Sequence, residues 1–220
     1  MSADATNDVW AVGATNVSGG VIEHWDGTQW SVVTDPGRGS LYGVTAISTN
    51  DIWAVGTYNS ISPAQTVTEH WNGTQWSVVP SPNKGSVYNF LNAVSAVSTN
   101  DVWAVGYYFN PGTFFPLIEH WNGTQWSIIP SPNPATAGYF LNGVAVIASK
   151  NVWAVGGNGS GQALIEQWDG TKWSVVPSPN PGGFNGLLAV TQIPSTTQLW
   201  SVGEYTVGNG IAYTLTEYYC

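Results

Sequence analysis

Residues 69–77 read EHWNGTQWS, and residues 119–127 repeat them letter for letter; 23–31 (EHWDGTQWS) and 166–174 (EQWDGTKWS) are close copies. An Asn-Gly or Asp-Gly pair between apolar runs is a strong hairpin signal, because glycine accepts the positive φ such turns need. The sequence predicts a type I′ turn at Asn72-Gly73 and at Asn122-Gly123. The Trp on either side are then placed to pair across a ladder or to pack between sheets.

Outward from this stretch the repeat continues. DVWAVG begins at Asp8, and its equivalents begin at Asp51, Asp101, Asn151 and Gln198. Successive copies lie 43 to 50 residues apart. All thirteen Trp fall on three positions of the unit. The first is Trp10, Trp53, Trp103, Trp153 and Trp200. The second is Trp25, Trp71, Trp121 and Trp168, with Tyr219 in the last copy. The third is Trp30, Trp76, Trp126 and Trp173.

Each unit predicts four strands. In the third copy these are FLNAVSAVS (90–98), VWAVGYY (102–108), LIEHW (117–121) and WSIIP (126–130), here strands a to d. STND turns a into b, a longer loop joins b to c, and NGTQ turns c into d. The PSPN runs after strand d read as extended connectors to the next unit. Four-stranded units at this period predict an all-β fold, a single β-propeller spanning 1–220 with five blades. The units are approximately 1–34, 41–80, 90–130, 140–177 and 186–220. The first copy has strands b, c and d, with only SADATN where strand a should end, and the last stops after strand c. These incomplete end blades offer a route to oligomers.

The rhythm V-x-A-V-S-T-N-D-V-W-A-V-G followed by L-I-E-H-W-N-G resembles the blades of bacterial WD-repeat propellers, without their Gly-His dipeptide. Repeat length, blade number and Trp content also resemble the five-bladed tachylectin-type lectins. IEHWDGTQW is similar to the TE-x-x-W-D-G-x-x-W rhythm of bacterial and fungal fucose-binding propeller lectins. That resemblance implies sugar binding by a Glu, a stacking Trp and an Arg on the preceding strand. Glu23, Glu69, Glu119 and Glu166, with Trp25, Trp71, Trp121 and Trp168, occupy the first two roles here; DVWAVG carries no Arg.

Composition narrows the function classes. The net charge is −9, with Lys and Arg numbering four. Nucleic-acid binding needs a basic footprint, and none can be assembled. No apolar run reaches the length of a membrane helix. MSADATND has neither a basic start nor an apolar core, so no signal peptide is read. The expectation is a cytoplasmic protein, or a secreted or cell-surface one if a targeting segment has been removed. His24, His70 and His120 lie in separate blades, beyond the reach of a common ion. The NGT and DGT turns lack the acidic spacing of a calcium loop, although NGT at Asn72 and Asn122 fits a glycosylation sequon. No metal and no cofactor are expected.

A catalytic constellation should appear once and break the repeat; none does. The non-repeated acids Asp4, Asp35 and Glu204 have no His beside them. The expected function is therefore non-catalytic recognition of a glycan, or else a protein-interaction scaffold, with a propeller hydrolase third. Glu repeated in every blade beside a Trp reads first as architecture. The a–b and c–d turns barely vary between copies, while the b–c and d–a connections do, and function rests on such variable segments. The candidate ligand face is that of Tyr58, Tyr107, Tyr108, Phe109, Phe114, Phe115 and Tyr139, centred on 107–115. Weak sites on several blades would add to one another.

Overall fold

The computed structural model describes all residues except 16–18, 38, 59–61, 133–137 and 209. Parts of four variable connections, and Arg38 in a fifth, fall among those exceptions. The described residues form nineteen strands in five antiparallel sheets and no α-helix. The first sheet holds β1 (Ser2–Ala5), β2 (Asp8–Ala14), β3 (Gly20–Trp25) and β4 (Trp30–Val33). The second holds β5 (Ser40–Ser48), β6 (Asp51–Tyr58), β7 (Gln65–Trp71) and β8 (Trp76–Val78). The third holds β9 (Tyr88–Ser98), β10 (Asp101–Asn110), β11 (Thr113–Trp121) and β12 (Trp126–Ile128). The fourth holds β13 (Tyr139–Ala148), β14 (Asn151–Asn158), β15 (Ala163–Trp168) and β16 (Trp173–Val175). The fifth has three strands, β17 (Phe184–Gln192), β18 (Leu199–Thr206) and β19 (Ala212–Tyr219).

Two expectations need correction here. The first unit has a short strand a, because Ser2–Ala5 pairs with β2. The b–c connection of the third unit is not a long loop. Strands b and c run on to Asn110 and from Thr113, leaving only Pro111-Gly112 between them. A run of aromatic residues favours extended pairing, and Gly112 at φ 112° closes the turn.

The sheets pack face to face through the Trp. Trp103 is buried, and its ring lies 5.2 Å from Trp168 and 5.5 Å from Trp173 of the next sheet. Trp10 meets Trp71 and Trp76 in the same way, and Trp53 meets Trp121 and Trp126. Cross-strand pairing holds too: Trp71 stands opposite Trp76, and Trp121 opposite Trp126. At the ends the joint is unmade. Trp30 is 43% exposed, whereas Trp76, Trp126 and Trp173 are 4–6% exposed. Trp200 is 44% exposed, against 1–7% for Trp10, Trp53, Trp103 and Trp153.

The strands a of the second to fifth sheets line the axis, β9 packing on β5 and β13, and β13 on β17. Approach is close: a Cβ on Gly43 would stand 3.0 Å from the backbone of Ala93, and one on Gly143 3.1 Å from Ala189. Each of these strands carries a β-bulge, at Tyr42, Asn92, Asn142 and Leu188. A Cβ on the facing glycine of strand b (Gly56, Gly106, Gly156 or Gly203) would overlap a carbonyl oxygen of strand a. That crowding is the physical reason for the glycine that closes DVWAVG.

The NG and DG turns form, but not as type I′. Gly27, Gly73, Gly123 and Gly170 have φ of 91–94°, and among the described non-glycine residues only Ser195 is positive. Asn72 is therefore not left-handed. Its Oδ1 accepts from the backbone N–H of Thr74 and of Gln75 at 3.0 Å. The result is a four-residue loop folded around a side-chain acceptor.

Candidate functional site

The lengthened third sheet flanks a cavity lined with aromatic side chains. Side chains alternate along a strand, so Tyr107 and Phe109 share one face of β10 while Tyr108 takes the other. Register sets Tyr107 opposite Phe90 and Phe109 opposite both Tyr88 and Phe114. The Phe90 and Tyr107 rings stack at 4.9 Å; Phe114 meets Tyr107 edge-on at 5.4 Å and Phe109 at 4.9 Å. Offset and edge contacts of this kind stabilise an aromatic shelf. A cavity of about 480 Å³ opens beside it, lined by Asn92, Tyr107, Phe114, Phe140, Asn142 and Gly159. Phe114 is 42% exposed there. Burial, and then the neighbouring Tyr42, push the Tyr107 phenol above its usual range.

A second cavity, of about 340 Å³, lies on the axis and is also lined by Asn92 and Asn142, with Tyr42, Leu188 and Met1. Asn92 donates from Nδ2 to Leu141 O at 2.8 Å, and Asn142 to Leu187 O at 2.9 Å. Each amide is thereby anchored to the next sheet while it lines the cavity.

The expected site residues divide. Tyr107, Phe109 and Phe114 come together on the shelf. Tyr108, Phe115 and Tyr139 do not: Tyr108 and Tyr139 are buried, and Phe115 stacks on Tyr108 at 5.1 Å within the core between the second and third sheets. The alternation of the prolonged strand turns these rings inward. Tyr58 packs against the core of the first two sheets. Phe90, Asn92 and Asn142 were missed, because they sit in strand a, where the repeat reads as scaffold.

The repeated Glu are inside the sheet–sheet joints. Glu69, Glu119 and Glu166 are fully buried. Ser131 donates from Oγ to Glu166 Oε1 at 2.8 Å, and Ser178 to Glu217 Oε1 at 2.7 Å; Ser81 stands at Glu119 and Asp35 at Glu69. Thus the connector of one unit reaches the Glu of the next, and at Glu166 and Glu217 it ties it by a hydrogen bond. Burial raises Glu119 and Glu69 to about 8 and Glu166 to about 7. Glu23, with no preceding sheet, is only partly buried. The accompanying Trp25, Trp71, Trp121 and Trp168 lie on the sheet faces, Trp71 and Trp121 donating to Thr49 O and Thr99 O.

His24, His70 and His120 each pair through Nε2 with the Asp that opens strand b, at 2.8 Å. The rings of His24 and His120 stack on Trp10 and Trp103, and that of His70 meets Trp53 at a tilt, 4.6 Å away. Among the described residues no group of His, Cys, Asp or Glu is arranged to hold a metal ion.

No family model matches the chain, and neither does any curated protein. Solved structures do. The fucose-binding lectin of Aleuria aurantia, a six-bladed β-propeller, is 12% identical with a TM-score of 0.61, over 95% of this chain and 70% of its own. The lectin SapL1, in complex with α-methyl fucoside, is 12% identical with a TM-score of 0.64, over 100% of this chain and 75% of its own. YCF48 bound to D1 peptide is 17% identical with a TM-score of 0.57, over 92% of this chain and 60% of its own. The fold is that of a β-propeller. This chain spans 60% of the length of YCF48 and 70–75% of the two lectins.

Proposed function

We propose that this chain is a five-bladed, WD-like recognition module that binds a glycan on the aromatic shelf of its third sheet and performs no chemistry. The observation that carries this reading is the cavity of about 480 Å³, where Tyr107, Phe114 and Phe140 meet the amides of Asn92 and Asn142. Apolar ring faces stack on the C–H faces of a sugar, and anchored amides accept and donate to its hydroxyls. The lectins of similar fold support the ligand class. The Glu and Trp of the fucose-lectin rhythm are taken up by blade packing, so the recognition groups here are different ones. A glycan array, followed by titration of Tyr107→Ala with Phe114→Ala, tests the proposal. Binding should fall at least tenfold in the double variant while the chain still folds, with stability lowered by about 1–3 kcal/mol because Tyr107 is half-buried and both rings give up aromatic contacts. Binding that survives the double variant but is lost in Trp121→Ala would place the site on the repeated nonapeptide instead.

A protein ligand is the second reading. YCF48, a neighbour of similar fold, is solved bound to D1 peptide, and that supports a peptide as the alternative ligand. A peptide array with no glycan binding would favour it.

A further inference from the structure

Four strands at the axis read Leu41-Tyr42-Gly43-Val44, Leu91-Asn92-Ala93-Val94, Leu141-Asn142-Gly143-Val144 and Leu187-Leu188-Ala189-Val190. The first position is Leu throughout and fully buried. The third is always small, because the next strand is in contact there. The fourth is always Val. Only the second changes character: Tyr, Asn, Asn, Leu. It is the residue that the ladder skips in every case, the extra residue of the bulge. A bulge re-aims one side chain out of the pleat, and all four of these line the axial cavity. Tyr42 and Leu188 are about half exposed there. Within these four residues, the one position that changes character is the one facing open space at the axis.

Two of the four, Asn92 and Asn142, line the aromatic cavity as well. The two cavities therefore meet at this pair of amides. Tyr42 is near enough to Tyr107 to act on its phenol, which brings a third polar group to the junction.

We propose that shelf and axial mouth form one continuous site per chain, which takes a saccharide of at least two units. One ring rests on Tyr107, Phe114 and Phe140. The next enters the axial mouth, where the Asn92 and Asn142 amides and the Tyr42 hydroxyl read its hydroxyl or acetamido groups and Leu188 closes the apolar side. Because the bulge residues are Tyr, Asn, Asn and Leu, the blades are not equivalent and a single ligand binds. Both amides are already held by a bond to the next sheet, so little ordering is left for binding to do. This inference rests on the glycan reading and sharpens it.

Calorimetric titration with methyl α-L-fucoside, N-acetylglucosamine and the disaccharide Fucα1-6GlcNAc decides it. The disaccharide should bind once per chain, at least tenfold more tightly than either monosaccharide. Tyr42→Phe and Leu188→Ala, which line the axial mouth and not the shelf, should remove that advantage and leave the affinity for the better monosaccharide unchanged, whereas Tyr107→Ala weakens all binding. Both side chains are about half exposed, so neither variant is expected to melt early. The inference is overturned if the disaccharide binds no better than the better monosaccharide, if several equivalents bind per chain, or if axial variants weaken monosaccharides equally. Failure of all three sugars to bind would remove the glycan reading itself, and this inference with it.

Discussion

Trp103 and Trp200 occupy the same place in the repeat and different places in the molecule. Trp103 is 2% exposed; its Nε1 donates to Asp101 Oδ1 at 2.8 Å and its ring stacks on His120. Trp200 stands on the uncovered face of the last sheet and meets Tyr218 at 5.4 Å. Truncating a buried Trp removes transfer free energy and leaves a cavity, together about 3–5 kcal/mol. Trp103→Ala should lower thermal stability by that order, and Trp200→Ala by about 1 kcal/mol. Equal losses in a denaturant titration would mean that Trp200 is covered in solution. The sequence put both on one repeat position and so could not separate them. What separates them is a neighbouring sheet, and a local pattern does not record its neighbours.

Between elements, the recurring link is the carboxyl of strand c held by the connector of the preceding unit. A buried carboxylate is costly without a cation, so the group keeps its proton. Glu69 and Glu119 are raised to about 8 and Glu166 to about 7, from an ordinary 4.5. Above pH 4.5 the unfolded chain has released these protons while the folded chain still holds them. Their contribution to stability is therefore complete in mild acid, declines as pH rises through 5 to 8, and then levels. Glu119→Gln should flatten that decline and raise the melting temperature at pH 8, since each tenfold change in proton affinity between the folded and unfolded chain is worth about 1.4 kcal/mol. A wild-type melting temperature that climbs between pH 5 and 8, with Glu119→Gln following it, would show these carboxyls to be ionised.

The strands, the Trp positions and the glycine of the NG turn were legible because each is a matter of a few adjacent residues. The Ser–Glu links join residues 35 and 39 apart, and nothing in either segment alone announces the other. The bulges were hidden because one skipped residue leaves the hydrophobic pattern of LNAV intact. The shelf was half legible. Its rings stood out, but length variation suggested a loop where Tyr107 to Phe115 in fact continue the ladder. That one difference sends Tyr108 and Phe115 into the core.

Across the whole molecule, stability should follow position in the stack rather than sequence, because the copies are nearly the same. In stacked repeats each unit is held by its neighbours. The second, third and fourth sheets are covered on both faces. The first leaves Trp30 and Val32 exposed, and the fifth leaves Trp200, Val202, Tyr213 and Tyr218 exposed. The fifth also lacks its outer strand. Local opening is easiest where few apolar contacts resist it. Amide hydrogen exchange should therefore be slowest in β10 and β14, faster in β2, and fastest in β19, whose outer edge is unpaired. The ranking separates two arrangements of the end sheets. If β2 and β18 exchange as slowly as β10, the first and fifth sheets cover one another in solution, through contact within the ring or between copies, and Trp30 and Trp200 should then resist quenching by acrylamide. If the gradient holds, both Trp are quenched readily, and the two end faces remain open to solvent.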